Sequence, residues 1–175
     1  MSFIHDFLGL KRDSKSATQD PRAIAAIRTR LADIPETEAR LLAAFSYVLA
    51  RVAYADLQVD EQETTAMTQL VSDHMALGTD QASLVVEMAT TQASALGGTQ
   101  DFVVTKLLGE LASPELKAKI LQCLLSVAAA DDIIVGQEEK EMRLIARQLG
   151  ISDKDFLAAL SRYRDKRSVL KDWPS

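Results

Sequence analysis

Two stretches of this chain, 75 positions apart, are written on one plan. In VAYADLQVDEQETTAM (52–67) and VAAADDIIVGQEEKEM (127–142), Val52 matches Val127, Ala55 matches Ala130 and Asp56 matches Asp131. Gln62, Glu63 and Met67 likewise match Gln137, Glu138 and Met142. Each copy has an apolar helix ending in Ala-Asp, a short loop with one β-branched pin (Val59, Ile134), and then an acidic helix. The flanks repeat as well. Leu41, Leu49 and Leu70 align with Leu116, Leu124 and Ile145, and after a three-residue deletion Leu77-Gly78 aligns with Leu149-Gly150. A chain built this way must bury two related helix–loop–helix units in one core.

The remaining periodicity is helical throughout. Asp20-Pro21 reads as a cap followed by proline at the first helical position, where its missing N–H costs nothing. Ile24, Ile27, Leu31 and Ile34 then hold one face. The helix after Pro35 is apolar over a wide arc (Leu41, Leu42, Phe45, Val48, Leu49, Val52), so it should be central. Asp60 to about Ala76 is the next helix, with Leu77-Gly78 as its stop and Gly78 free to take positive φ. Asp80 caps the helix that follows, 101–112 forms another, and Ser113-Pro114-Glu115 repeats the cap–proline–acid signature. A helix over 137–149, a stop at Gly150 and Ser152 capping 153–164 complete the second half. No strand pattern is present. The sequence therefore predicts an all-α single-domain bundle of about eight helices, built from two pseudo-repeated helical hairpins. This domain spans 20–165, after an N-terminal amphipathic helix and polar linker (1–19) and before a C-terminal tail (166–175).

At 175 residues the chain is long enough for one sizeable core. Its net charge of −5 argues against a general nucleic-acid binder, which needs a basic surface to release counterions. No apolar run approaches the roughly 18 residues needed to span a bilayer. The single Cys123, in an apolar stretch, reads as a small core residue in a reducing compartment. A cytoplasmic location is the expectation.

The acidic junctions carry the chemical interest. Asp56, Asp60 and Glu63 cluster in the first; Asp131, Asp132, Glu138 and Glu139 in the second. Carboxylates converging on a tight interhelical loop suit a hard divalent cation such as Ca²⁺, Mg²⁺ or Mn²⁺, with Zn²⁺ as a further candidate. The loop is not an EF-hand: Gln58 and Glu61 stand at its third and sixth positions, and Ile133 and Val135 replace side-chain oxygens in the second copy. The structural alternative stays open. Asp60 with Glu63 forms a capping box, and Asp56 can turn back onto loop amides.

The phrase A-D-x-x-V/I-x-x-x-E at the junction of an apolar and an acidic helix, present twice, resembles the TerB-like family of bacterial tellurite-resistance proteins. It falls on Ala55, Asp56, Val59, Asp60 and Glu63, and again on Ala130, Asp131, Ile134 and Glu138. The resemblance covers roughly residues 21–164. It departs from the family pattern where Leu57 and Asp132 replace the usual Gly and Val135 replaces the polar cap. It implies an all-helical domain, divalent-cation binding through Asp56, Asp60, Glu63, Asp131, Asp132 and Glu138, and a role in tellurite, metal or general stress resistance. Protein partners follow from that implication, membrane-associated resistance components among them.

Outside the repeat, Phe3, Ile4, Phe7 and Leu8 share one helical face, followed by Lys11, Arg12 and Lys15. This face can dock on the domain, on an oligomer partner or on an anionic membrane surface, which gives an alternative reading as a peripheral or scaffold protein. The tail carries Arg162, Arg164, Lys166 and Arg167, read as a charged helix end, with an acidic partner as the other option; Trp173 can pack back on the domain. His5 and His74 have no third ligand nearby in sequence, and no nucleophile–base spacing stands out. The chain is expected to be no enzyme.

Overall fold

The computed structural model describes residues 3–10, 21–53, 61–93, 99–130 and 136–166. Among them there is no strand, and the fold is the all-α bundle expected. The helices are α1 (Phe3–Phe7), α2 (Pro21–Ala32), α3 (Glu36–Ala53), α4 (Glu61–Met75), α5 (Thr79–Gln92), α6 (Thr99–Leu111), α7 (Pro114–Ala128), α8 (Gly136–Gln148) and α9 (Asp153–Leu160). A 3-10 segment, Ser161–Lys166, follows α9 rather than a continued α-helix.

α3 is the axis of the bundle. Every residue from Leu42 to Ala50 is buried, so the helix has no solvated face over its middle turns. It packs against α1, α2, α5, α6, α7 and α8. Each fully buried Leu, Phe or Val there contributes about 1.5–3 kcal/mol from apolar burial. α7 is the counterpart, with Ile120, Leu121, Cys123, Leu124, Leu125 and Val127 inside. α4 and α8 are narrower stripes: Met67, Val71 and Met75 in one, Met142, Ile145 and Ala146 in the other.

α4 and α8 begin 75 positions apart, the same spacing as the two sequence copies. Their packing, however, crosses between the copies. The principal neighbours of α4 are α5 and α7, not the α3 that precedes it. α8 in turn touches α6, α9, α3 and α7.

The helix ends separate what local sequence dictates from what it does not. Ser113 accepts the Leu116 N–H at 3.2 Å with Pro114 just inside, and Ser152 accepts the Asp155 N–H at 3.1 Å. Gly150 takes φ +79° behind α8. There the N–H groups of Gly150 and Ile151 donate to the carbonyls of Arg147 and Ala146, which ends the helix in a Schellman turn. The equivalent turn behind α4 does not use Gly78, whose φ is −61°. Ala76 adopts φ +54°, and the Leu77 N–H donates to the Ser72 carbonyl at 3.3 Å. The positional match to Gly150 is therefore Ala76, and Gly78 instead starts α5 as its cap. Asp80 lies inside the first turn of α5, not at its cap. The cap roles read for Asp20 and Asp60 fall outside the described residues.

One interior glycine is there for space. A Cβ on Gly109 in α6 would stand 2.9 Å from the Leu149 carbonyl oxygen, so α6 meets the end of α8 backbone to backbone.

Candidate docking groove and acidic junctions

The last turns of α3 and α7, which lead into the two acidic junctions, open on the same groove. Val52 and Arg51 at the end of α3, Ala128 at the end of α7 and the outer face of α8 enclose about 570 Å³. α8 supplies Gln137, Glu138, Lys140, Glu141, Met142 and Leu144. The floor is apolar, and Leu144 on it is 46 % exposed.

Of the predicted acidic residues, Asp56, Asp60, Asp131 and Asp132 lie outside the described residues. Glu63 and Glu138 are described, and both are exposed in the first turn of their helices, where a carboxylate complements the helix dipole. Among the described residues no group of three or more His, Cys, Asp or Glu is arranged to hold a metal ion.

The groove wall contains a polar cluster that residue-by-residue reading of the sequence did not single out. The Arg51 side chain is only 4 % exposed. Its Nε donates to Glu141 Oε1 at 3.1 Å, and its Nη2 also pairs with that carboxylate. Nη1 donates to Thr105 Oγ1 at 2.7 Å, Gln148 Oε1 at 3.0 Å and the Asp101 carbonyl at 3.3 Å. Asp101 in turn accepts from the Tyr47 hydroxyl at 2.7 Å. Burial first, and then the Asp101 carboxylate, hold the Tyr47 phenol well above its usual range; the Arg51 charge pulls the other way. One guanidinium thus pins the end of α3 to the first turn of α6 and to α8. The available sequence signal was an arginine inside the apolar arc of α3.

Position 126 is the copy-two equivalent of Arg51, and it also reaches across. Ser126 Oγ lies 2.8 Å from His74 Nε2 of α4 and 2.7 Å from the Tyr163 hydroxyl. His74 is half-buried at this junction, and the contact ties α4, α7 and the 161–166 segment together. Cys123 is buried nearby in sequence, and burial pushes its thiol up to about 12, which keeps it protonated and unreactive.

The N-terminal residues read as a contact surface are placed on the domain. Phe3, Ile4 and Leu8 are 3 %, 0 % and 4 % exposed, with the Arg28 guanidinium 5.6 Å from the Phe3 ring centroid. Phe7 stays half-buried on the rim of a cavity of about 700 Å³ beside α2 and the start of α3. A membrane or partner anchor made from these side chains first has to give up this packing.

With the helices and junctions in place, comparison with known families is decisive. The model of the family described as Tellurite resistance protein TerB matches residues 41–161, from inside α3 to the start of the 3-10 segment. The chain belongs to the TerB family. Comparison with curated proteins and with solved structures gives no match. The TerB match takes in both acidic junctions and every groove residue, and leaves out α1, α2, the first turn of α3 and the basic tail. No helix among the described residues is long and apolar enough to cross a membrane.

Proposed function

We propose that this TerB-family chain is a non-enzymatic interaction domain linked to tellurite, metal or general stress resistance. Its partner-binding face is the groove between α3, α7 and α8. A divalent cation at the acidic junctions, Asp56, Asp60 and Glu63 first among the ligands, tunes that face. The observation that carries this reading is that the helix ends leading into both junctions line one groove. A cation would neutralise repelling carboxylates and fix the angle at which α3 hands over to α4, and so reshape the groove rim.

The test is thermal unfolding with and without millimolar Ca²⁺, Mg²⁺, Mn²⁺ or Zn²⁺, for the wild type and Asp56→Ala. A cation that binds only the folded state raises its stability by about 2.7 kcal/mol at a hundredfold excess over its Kd. The wild type should shift and Asp56→Ala should not. If neither moves, the acids serve as helix caps and the cation part of the reading fails.

A further inference from the structure

α9 ends where no local signal stops it. Phe156, Leu160 and Tyr163 keep i, i+4, i+7 spacing, and residues 161–166, SRYRDK, hold no Gly or Pro. Arg162, Arg164 and Lys166 also suit the C-terminal end of a helix. Helix is thus the local preference through 166, yet the α-helix stops at Leu160. The Ser161 N–H still donates to the Leu157 carbonyl, and its own backbone is helical. The chain then runs as 3-10 turns that break at Tyr163, whose φ of −109° and ψ of 21° are not helical. Such turns commonly finish an α-helix, but runs beyond three or four residues are uncommon.

The break coincides with a tertiary contact. Tyr163 is half-buried and reaches back to α7, its hydroxyl 2.7 Å from Ser126 Oγ and 3.4 Å from the Gln122 carbonyl oxygen. Ser126 in turn lies 2.8 Å from His74 Nε2 on α4. Three half-buried polar groups from three elements therefore satisfy one another at this point. Local preference and tertiary contact ask for different backbones, and here the contact wins.

We propose that residues 161–166 are a latched strap. Tyr163, seated on Ser126 beside His74, interrupts a helix that otherwise continues from α9, and release of its hydroxyl lets α9 extend through 166. Latched, the strap ties the end of the chain to α4 and α7. Released, it frees the Ser126–His74 pair at the seam between those helices. The strap begins where the TerB match ends, so the latch joins one residue outside the matched region to two inside it. It uses no residue that lines the groove and none of the junction carboxylates, and it stands whether or not a cation binds.

NMR of the full chain reads the backbone of the strap directly. In the wild type, the Cα shifts of 161–166 should leave helical values at Tyr163. Tyr163→Phe and Ser126→Ala should each move them to helical values through Lys166 and increase the helical signal in far-UV circular dichroism. Ser161→Ala removes only a local bond to the Ala158 carbonyl and should leave the break in place. A thermal melt of each variant establishes that it is folded.

Wild-type shifts that are helical through 166 overturn the proposal. So does a break that persists in Tyr163→Phe, since the local sequence would then set it. Straightening by Ser161→Ala assigns the break to the end of α9 and overturns the latch. A folded Ser126→Ala that stays bent while Tyr163→Phe straightens overturns the seat on Ser126. Should Ser126→Ala not fold, Tyr163→Phe decides alone.

Discussion

The two sequence copies solve one geometric problem with opposite chemistry. At position 51 of the first copy and 126 of the second, the inner helix must hold the outer helix of the other copy. Arg51 does so with charge: a nearly buried guanidinium gathers Glu141 and Gln148 of α8 and Asp101 and Thr105 of α6. Ser126 does so with neutral hydrogen bonds to His74 of α4 and Tyr163. Equivalent sequence positions thus join helices across the bundle through different side chains, a guanidinium in one case and a hydroxyl in the other. A long side chain reaches both α6 and α8 from α3; a hydroxyl is enough where His74 and Tyr163 come to Ser126 themselves.

The most direct way to break the comparison is Arg51→Ala. It removes the cation beside Asp101 and Glu141 and leaves a void at the groove wall. Removing one partner of a fully buried pair costs about 3–5 kcal/mol, and the 40 % exposure of Glu141 moves the expectation to the low end, about 3 kcal/mol. Chemical denaturation measures it; a loss under 1 kcal/mol would mean the network is decorative.

Gly109→Ala comes next. Its Cβ would press on the Leu149 carbonyl at 2.9 Å and force α6 away from α8. Overpacking of this kind costs about 1–3 kcal/mol, offset by about 1 kcal/mol of helix propensity. A net loss is expected in a thermal melt, and a gain would show that the two helices separate freely.

Ser126→Ala should cost about 1 kcal/mol, the scale of a neutral hydrogen-bond set whose partners keep partial access to water. A loss as large as that of Arg51→Ala would mean that the guanidinium and hydroxyl junctions are energetically equivalent.

The helix ends sharpen the comparison further. Ala76→Gly should stabilise by about 0.5 kcal/mol, because the left-handed backbone it occupies disfavours a Cβ by slightly more than glycine adds to unfolded-chain entropy. Gly150→Ala should destabilise by a comparable amount. Denaturant midpoints for both distinguish this from two ends that tolerate either residue.

The smallest effect is in pH. Arg147, through hydrogen bonds at 3.2 and 3.0 Å, holds the Asp153 carboxyl below its usual range. A depressed carboxyl stabilises the fold above the unfolded value near 3.8 and loses that contribution as pH falls through the lower folded value. The pair is exposed, so the slope should be slight and should flatten in salt. Melts of Asp153→Asn between neutral and acid pH check it.

Much of the bundle could be read from local sequence because local rules govern it. Ser113-Pro114 and Ser152 cap their helices as expected, and Gly150 ends α8 in the left-handed region. α3 is buried on all sides because its apolar residues cover more than one stripe. Ala76 could not be found this way. Gly78 offered the better stop, but the turn closes two residues earlier, where Ser72 Oγ and the Ser72 carbonyl both engage Leu77. The site was less legible than the fold. The acidic repeat marked where α3 and α7 end, yet nothing in residue spacing indicated that both ends share one groove with α8.

From the sequence alone came the helical class and the order of the helices, a repeated acidic junction, and membership of a family recognisable from 41–161. Those are properties of residues close along the chain: periodicity, capping and a short motif. Only the tertiary structure decided that α4 packs on α7, that Arg51 sits dry between α6 and α8, and that Phe3, Ile4 and Leu8 are turned into the domain. These depend on which apolar faces bury each other, and burial is set by the whole set of helices at once rather than by any one of them.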